Sequence, residues 1–357
     1  MQHAPQAPRQ DASTAMAGVS YLFPKAQNPG EIREVVPGLH WLRLPLPFAL
    51  NHVNVWLLDG GKRGWSIIDT GANKDETIAI WEAVLRDGPL AKKKIAEIFI
   101  THGHPDHIGL AGWLVEKTGA PLMAALSEWL GPRIWREEGF KPIPPEIEAF
   151  YVNHGLSPES LAAWKAGREK GVFRNHPLPH QLVRVRDKDK IRLGAMRWEA
   201  LANGGHADEH LSLHARKEKL FIAGDQILSR ISPVVGVFPG QPLANPLADY
   251  LASLKRLKKL PDDVLVLPSH GLPFHGLHTR IDELEAHHQK RLGQLLDGMT
   301  GAQTSVELAH VLFEKAMAEG QTILALAETL AHIHYLVGTS KVVRKTAKSG
   351  RITFSKR

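Results

Sequence analysis

Cysteine is absent from all 357 residues, which excludes disulfides, thiolate nucleophiles and thiolate metal ligands. Long apolar runs are missing as well: no stretch approaches the roughly eighteen consecutive apolar residues that a membrane-spanning helix requires, so no membrane partner is expected. No Gly-x-Ser-x-Gly elbow occurs, which leaves a serine triad of that type without support. The first stretch, Met1 to about Ser20, is rich in Gln, Ala and Pro and has neither a basic n-region nor an apolar h-region. It reads as a flexible tail rather than a secretory signal, and the cytoplasm is the expected compartment.

Acidic residues are missing from the last twenty positions, which carry Lys341, Arg344, Lys345, Lys348, Arg351, Lys356 and Arg357. That segment accounts for the whole net charge of +7. A basic end can attract phosphate polyanions, RNA among them; a solvated, solubilising end is the plainer explanation. Hydrophobic residues at 43% and charged residues at 23% match globular usage. The length suits one domain of about 250 residues and a small companion.

From Gly38 to Gly71 short β-type runs alternate with Pro and Gly, a strand meander. Asp75 to Leu85 has helical spacing and Ile95 to Ile100 is apolar and β-branched, a helix followed by a strand. Gly109 to Thr118 is helical again, and Pro121 to Ala125 is a short strand. Residues 127–179 differ in composition, with Trp129, Trp135, Trp164 and several prolines; short helices inserted between strands are expected, acting as a cap or substrate wall. Within it Arg133, Arg136, Lys165 and Arg168 could meet a phosphate-bearing carrier such as coenzyme A, although Glu137, Glu138 and Glu169 are interspersed. Strands resume at Gln181 to Val185, Met196 to Leu201, Leu211 to Ala215, Leu220 to Ile222 and Val264 to Leu267. After Pro273 the chain turns helical. Ile281, Leu284, His288, Leu292, Leu295 and Met299 form one stripe at spacings of three and four, able to pack on its own domain or on a second copy in a homodimer. Two more helices, Ser305 to Phe313 and Gln321 to Val337, precede a hairpin around Lys348-Ser349-Gly350, together suggesting a small winged-helix module.

The chemistry concentrates behind the Ile95–Ile100 strand. His102 and His104 stand two apart, so both side chains leave one face of an extended backbone. Asp106 and His107 follow where the chain turns. Imidazole and carboxylate donors without thiolate suit zinc, iron or manganese. Three later strand ends deliver Gly205-His206, Gly224-Asp225 and Ser269-His270.

Thr101 to Gly109 resembles the His-x-His-x-Asp-His signature of the metallo-β-lactamase superfamily, and the later motifs stand in that family's order. The resemblance covers about Gly38 to Leu277, and within the superfamily the chain is similar to the β-lactamase-like-2 and glyoxalase-II-like group. It implies a four-layer αββα sandwich over residues 21–277, with the cap insertion at 127–179 and a winged-helix-like domain over 278–357. It further implies two metal ions, zinc foremost: His102, His104 and His206 on the first, Asp106, His107 and His270 on the second, Asp225 bridging. Asp69, in Asp69-Thr70-Gly71, would support the metal loop, and His210 would contribute a supporting hydrogen bond. One departure is Asn203-Gly204-Gly205-His206, where relatives often have Thr-Pro-Gly-His. Two such ions about 3.5 to 4 Å apart share a water and present hydroxide at neutral pH, with Asp106 orienting it and relaying its proton. The expected function is hydrolysis of an ester, thioester (an acyl-CoA or acylglutathione-like molecule) or lactone. Left open are an endoribonuclease or phosphodiesterase, a mononuclear-iron persulfide dioxygenase-like enzyme, and a nucleic-acid-binding protein with a vestigial metal site.

Overall fold

The computed structural model describes residues 18–47, 50–91, 93–138, 143–169, 175–318 and 320–357. Residues 1–17 of the expected tail, and the side chains of Arg136, Glu137, Glu138, Arg168 and Glu169 in the insertion, lie outside the described residues.

Two seven-stranded sheets are present. In the first, β2 (Ile32–Val36), β3 (Leu39–Pro45), β4 (His52–Asp59), β5 (Trp65–Ile68), β6 (Ile95–Phe99), β7 (Leu122–Ala124) and β8 (Val183–Arg184) lie side by side in chain order. Pairing is antiparallel as far as β5 and parallel beyond it, because α1 (Asp75–Arg86) and then α2 (Pro105–Ile108) and α3 (Ala111–Thr118) supply crossovers. The second sheet is ordered β1 (Ser20–Tyr21), β14 (Phe274–His275), β13 (Leu265–Pro268), β12 (Leu220–Gly224), β11 (His210–Ala215), β10 (Met196–Asn203) and β9 (Lys190–Leu193).

The layers follow from period-two patterning in strands buried on both faces. In β4, Val53, Val55 and Leu57 join Trp81, Val84 and Leu114 of α1 and α3, while Trp56 and Leu58 point to the opposite side. There they meet Trp198, Leu213, Ile222 and Leu267 of the second sheet. Phe221, Ala223 and Val266 leave the far face of that sheet for a third core with Leu254 of α7 (Pro246–Leu257) and Ile281 and Leu284 of α8 (Leu277–Gly298). The layers are thus helix, sheet, sheet and helix.

The α8 stripe is therefore covered by its own chain. After it come α9 (Ser305–Ala318), α10 (Thr322–Gly338) and a hairpin of β15 (Val342–Thr346) and β16 (Ile352–Lys356). Leu330, Leu336, Val342 and Phe354 enter the same core as Phe221, so the C-terminal segment completes the outer face of the second sheet. The insertion holds α4 (Leu126–Glu138), α5 (Pro145–Asn153) and α6 (Pro158–Glu169). Phe150 and Tyr151 of α5 enter that core too. His154, just after α5, makes a 2.8 Å hydrogen bond to Ser305 and stacks on Phe354. Much of the expected cap is thus a strut between the sandwich and the C-terminal segment. Of its basic residues, Lys165 pairs with Glu148 at 2.6 Å and Arg133 donates to the Pro179 carbonyl at 3.0 Å. The expected tail ends sooner than Ser20, because Val19 is buried and Ser20 pairs with His275.

Candidate metal centre

The seven predicted ligands converge where four strands end. β6 runs straight into Thr101-His102, α2 turns Asp106 and His107 back toward His102, and β12 and β13 end just before Asp225 and His270. His206 arrives on the turn between β10 and β11, where Gly205 has φ +105 and a Cβ would lie 2.4 Å from Tyr250. Only glycine fits there.

Two donor sets result, His102, His104 and His206 in one and Asp106, His107 and His270 in the other, while Asp225 also groups with His102 and His107. His102 Nε2 lies 3.0 Å from His104 Nδ1 and 3.2 Å from His206 Nε2. Asp225 spans the two sets: Oδ2 is 3.5 Å from His206 Nε2 and 3.3 Å from His270 Nε2, and Oδ1 is 3.5 Å from His107 Nε2. Asp106 Oδ2 sits 3.4 Å from His270 Nε2 and 3.5 Å from His107 Nε2.

The outer nitrogens determine what the inner ones offer. His107 Nδ1 donates to Asp69 Oδ2 at 2.8 Å, His206 Nδ1 to the Val234 carbonyl at 2.8 Å, and His270 Nδ1 to the His52 carbonyl at 2.7 Å. His102 Nδ1 is 3.0 Å from Thr101 Oγ1, whose own proton is directed to Asp69. Each ring thereby turns a lone pair inward. Neutral His102 and His206 cannot hydrogen-bond each other across 3.2 Å with both Nε2 atoms as acceptors; a shared cation resolves that contact. His107 Nε2 and Asp225 Oδ1 are buried without a hydrogen-bond partner, and a cation ligated by both would satisfy them.

Electrostatics point the same way. Burial holds His102 and His206 below the usual histidine range, and His104 down to about 3. Burial also works against charge on His107 and His270, yet the carboxylates of Asp106 and Asp225 overcome it, raising His107 well above its usual value and His270 to about 10. Asp106 and Asp225 are correspondingly held below the ordinary carboxylate range, against burial, by His107 and His270. The centre favours positive charge, and a divalent cation would displace protons from those two rings.

Asp69 sits at φ +63, an uncommon backbone for a non-glycine residue, and accepts from Thr101 N at 2.8 Å as well as from His107. His210 Nε2 accepts the Asp225 backbone N–H at 3.0 Å. Gly224, at φ +58, leaves no room above that ring, since a Cβ would lie 2.4 Å from His210 Nε2. Gly224→Ala is therefore expected to displace His210 and Asp225 together. Elemental analysis should show metal lost from the folded variant, with melting lowered by the several degrees that about 1 to 3 kcal/mol of strain brings; unchanged metal content would refute the coupling.

Three supports had no visible motif. Glu128 of α4 accepts from Gly103 N at 2.7 Å and Glu209 N at 2.8 Å, bracing two ligand loops. Buried Asn54 of β4 donates to the Pro268 and Gly271 carbonyls at 2.8 and 2.9 Å, fixing the His270 turn. His52 Nε2 accepts from Gly271 N at 2.9 Å. Asn54 and His52 fall inside a strand pattern, where an isolated polar residue reads as solvent-facing.

Comparison with known proteins agrees with this geometry. Residues 49–270 match the metallo-beta-lactamase superfamily model and residues 292–357 match a metallo-beta-lactamase-like C-terminal domain. The chain is 26% identical over 311 residues to the probable metallo-hydrolase YqjP of Bacillus subtilis, covering 83% of this chain and 91% of that one. A crystal structure of a beta-lactamase domain protein from Burkholderia ambifaria superposes with a TM-score of 0.84 at 33% identity, covering 95% of this chain and 97% of the other. A metallo-beta-lactamase family protein from Thermus thermophilus gives 0.77 at 32%, covering 91% and 100%. With a family match across most of the sandwich and relatives that extend through the C-terminal segment, the chain belongs to the metallo-beta-lactamase superfamily and is a metallo-hydrolase.

Proposed function

We propose that the centre holds two divalent cations, zinc foremost with iron or manganese as alternatives, and that the chain hydrolyses a small ester or thioester. The observation that carries this proposal is the placement of Asp225, whose carboxylate lies between two otherwise separate donor sets. His102, His104 and His206 would hold one cation, Asp106, His107 and His270 the other, and Asp225 both. Bound there, the cations would supply Lewis acidity toward the scissile carbonyl and the attacking water.

The remaining work falls to the chain. Asp106 is the more open of the two carboxylates, its side chain 20% exposed against 9% for Asp225, and it is ionised at neutral pH. It can accept a hydrogen bond from the attacking water, take its proton and return it to the leaving sulfur or oxygen. Asp69, Thr101 and the Val234 and His52 carbonyls hold the rings in place, which limits reorganisation during reaction. Metal content of the purified chain, with turnover of a panel of thioesters, esters, lactones and single-stranded RNA, tests the assignment. Two cations with acyl turnover support it; RNA cleavage alone would replace it.

The C-terminal hairpin favours RNA as a second reading. Lys341, Arg344, Lys345, Lys348, Lys356 and Arg357 are all exposed. If they contact a phosphate backbone, affinity for single-stranded RNA should fall with salt at a log–log slope of about −0.7 per contact. Replacing Lys341, Arg344 and Lys348 by Gln should flatten that slope by about two units in an anisotropy titration. Binding that ignores salt, or no binding, removes the RNA reading.

A further inference from the structure

Beside the donor cluster lies a cavity of about 180 Å³, slightly larger than a cavity of about 150 Å³ that accommodates benzene. The candidate ligand His270 and its neighbour Gly271 form part of its wall. Lys25, Arg43 and Arg230 line it together with Leu50, Ile231 and Leu272, and no lining residue is acidic. None of the three cations has a carboxylate ion-pair partner among the described residues. Glu31 is near enough to feel Lys25, but it is bound by the side chain and backbone of Asn28.

Arg43 is the most constrained of the three. Its Nη1 donates to the Gln27 carbonyl at 2.9 Å and its Nη2 to Asn51 Oδ1 at 3.1 Å, while Nε is buried with no partner. Arg230 donates from Nε to the Tyr21 hydroxyl at 3.2 Å and lies over that ring at 5.1 Å. A half-buried guanidinium held by neutral acceptors keeps an unneutralised charge, and two further cations round the same small volume add to its field. The aliphatic residues can cover carbon while the cations take charge.

We propose that this cavity receives the anionic end of the acyl substrate, a carboxylate or phosphate a few carbons from the scissile carbonyl. The proposal rests on the acyl-hydrolase function above. Water adds to the carbonyl carbon, the carbon–sulfur or carbon–oxygen bond breaks, and the thiol or alcohol leaves with a proton. The acid product retains its second anionic group in the cavity: a dicarboxylate, or a carboxylate bearing phosphate.

The test compares succinyl, 3-phosphonopropanoyl and butanoyl thioesters of N-acetylcysteamine on the metal-loaded full chain. Wild type should prefer one or both charged acyl groups, through KM, and the better of the two names the anion. In Arg230→Gln and in Lys25→Gln that preference over butanoyl should fall about ten- to hundredfold, as expected for a lost charge-assisted hydrogen bond, with partial recovery in Arg230→Lys. A preference untouched by both variants overturns the proposal and leaves the hydrolase standing. Calorimetric binding of succinate and of phosphonopropionate to the chelator-treated chain gives a readout independent of turnover. Binding weakened by Arg230→Gln supports the cavity even if no thioester is cleaved, an outcome that would instead sink the acyl-hydrolase assignment. Binding present in wild type but indifferent to both variants, or absent, overturns the anion site.

Discussion

Asp225→Ala should yield a folded chain that retains less than half the wild-type metal and hydrolyses at least a hundredfold more slowly. The side chain lies between the two donor sets and is also one of the carboxylates that raise His107 and His270 above their usual range. Removing it would take a ligand from both proposed cation positions and lower the negative charge of the centre. Asp69→Asn is the informative contrast. It touches no proposed cation directly, but it exchanges the acceptor that orients His107 for a neutral amide, and losing such a support typically costs ten- to hundredfold in affinity or rate. The order is therefore Asp225→Ala worse than Asp69→Asn, read by elemental analysis and by kcat. Full metal content and undiminished turnover in Asp225→Ala would remove the bridging role and, with it, the two-cation arrangement.

The site was more legible in the sequence than its supports, for a physical reason. Ligand residues carry donor atoms that are costly to bury unpaired, so several of them at strand ends is a pattern with few structural explanations. His102, His104, Asp106 and His107 stand within six positions, and the Gly-His, Gly-Asp and Ser-His turns end strands that can be read from their apolar runs. Glu128 and Asn54 carry no such mark, since their partners are backbone groups at distant positions. Some elements were missed too. Strands Ser20–Tyr21 and Phe274–His275 are two residues each, too short for any periodicity, and are set by tertiary pairing, the first on the second and the second also on Leu265–Pro268. Helix Pro246–Leu257 did have a signal: Asn245 caps it, Pro246 starts it, and Leu247, Tyr250, Leu254 and Leu257 form a buried stripe. The helices and hairpin of 278–357 could be read from their spacing, but not that their apolar residues share one core with Phe221 and Val266, because those partners lie far away in the sequence.

That shared core also makes the chain sensitive to pH. Burial lowers His288 to about 3 and His332 and His154 to about 4, so all three fold neutral. Their folded values lie below the unfolded one, so the stability they carry is present above about pH 6.5 and is lost as pH falls toward 4. At about 1.4 kcal/mol per pKa unit each can cost roughly 3 kcal/mol or more, a large part of the 5–15 kcal/mol that folding usually leaves. Glu328 acts in the opposite sense. Burial raises it to about 7 despite its 3.1 Å pair with Arg291, so its contribution is present below about pH 4.5 and disappears as pH rises through 7. Wild type should therefore lose stability below pH 6.5 less steeply than Glu328→Gln, whose gain on going from pH 4.5 to 7 should be larger by about 3 kcal/mol. Urea midpoints of the chelator-treated proteins measure this directly, because metal release and titration of the ligand rings are common to both chains and cancel in the difference. Parallel pH profiles for the two would mean that Glu328 stays ionised through this range, with Arg291 outweighing its burial.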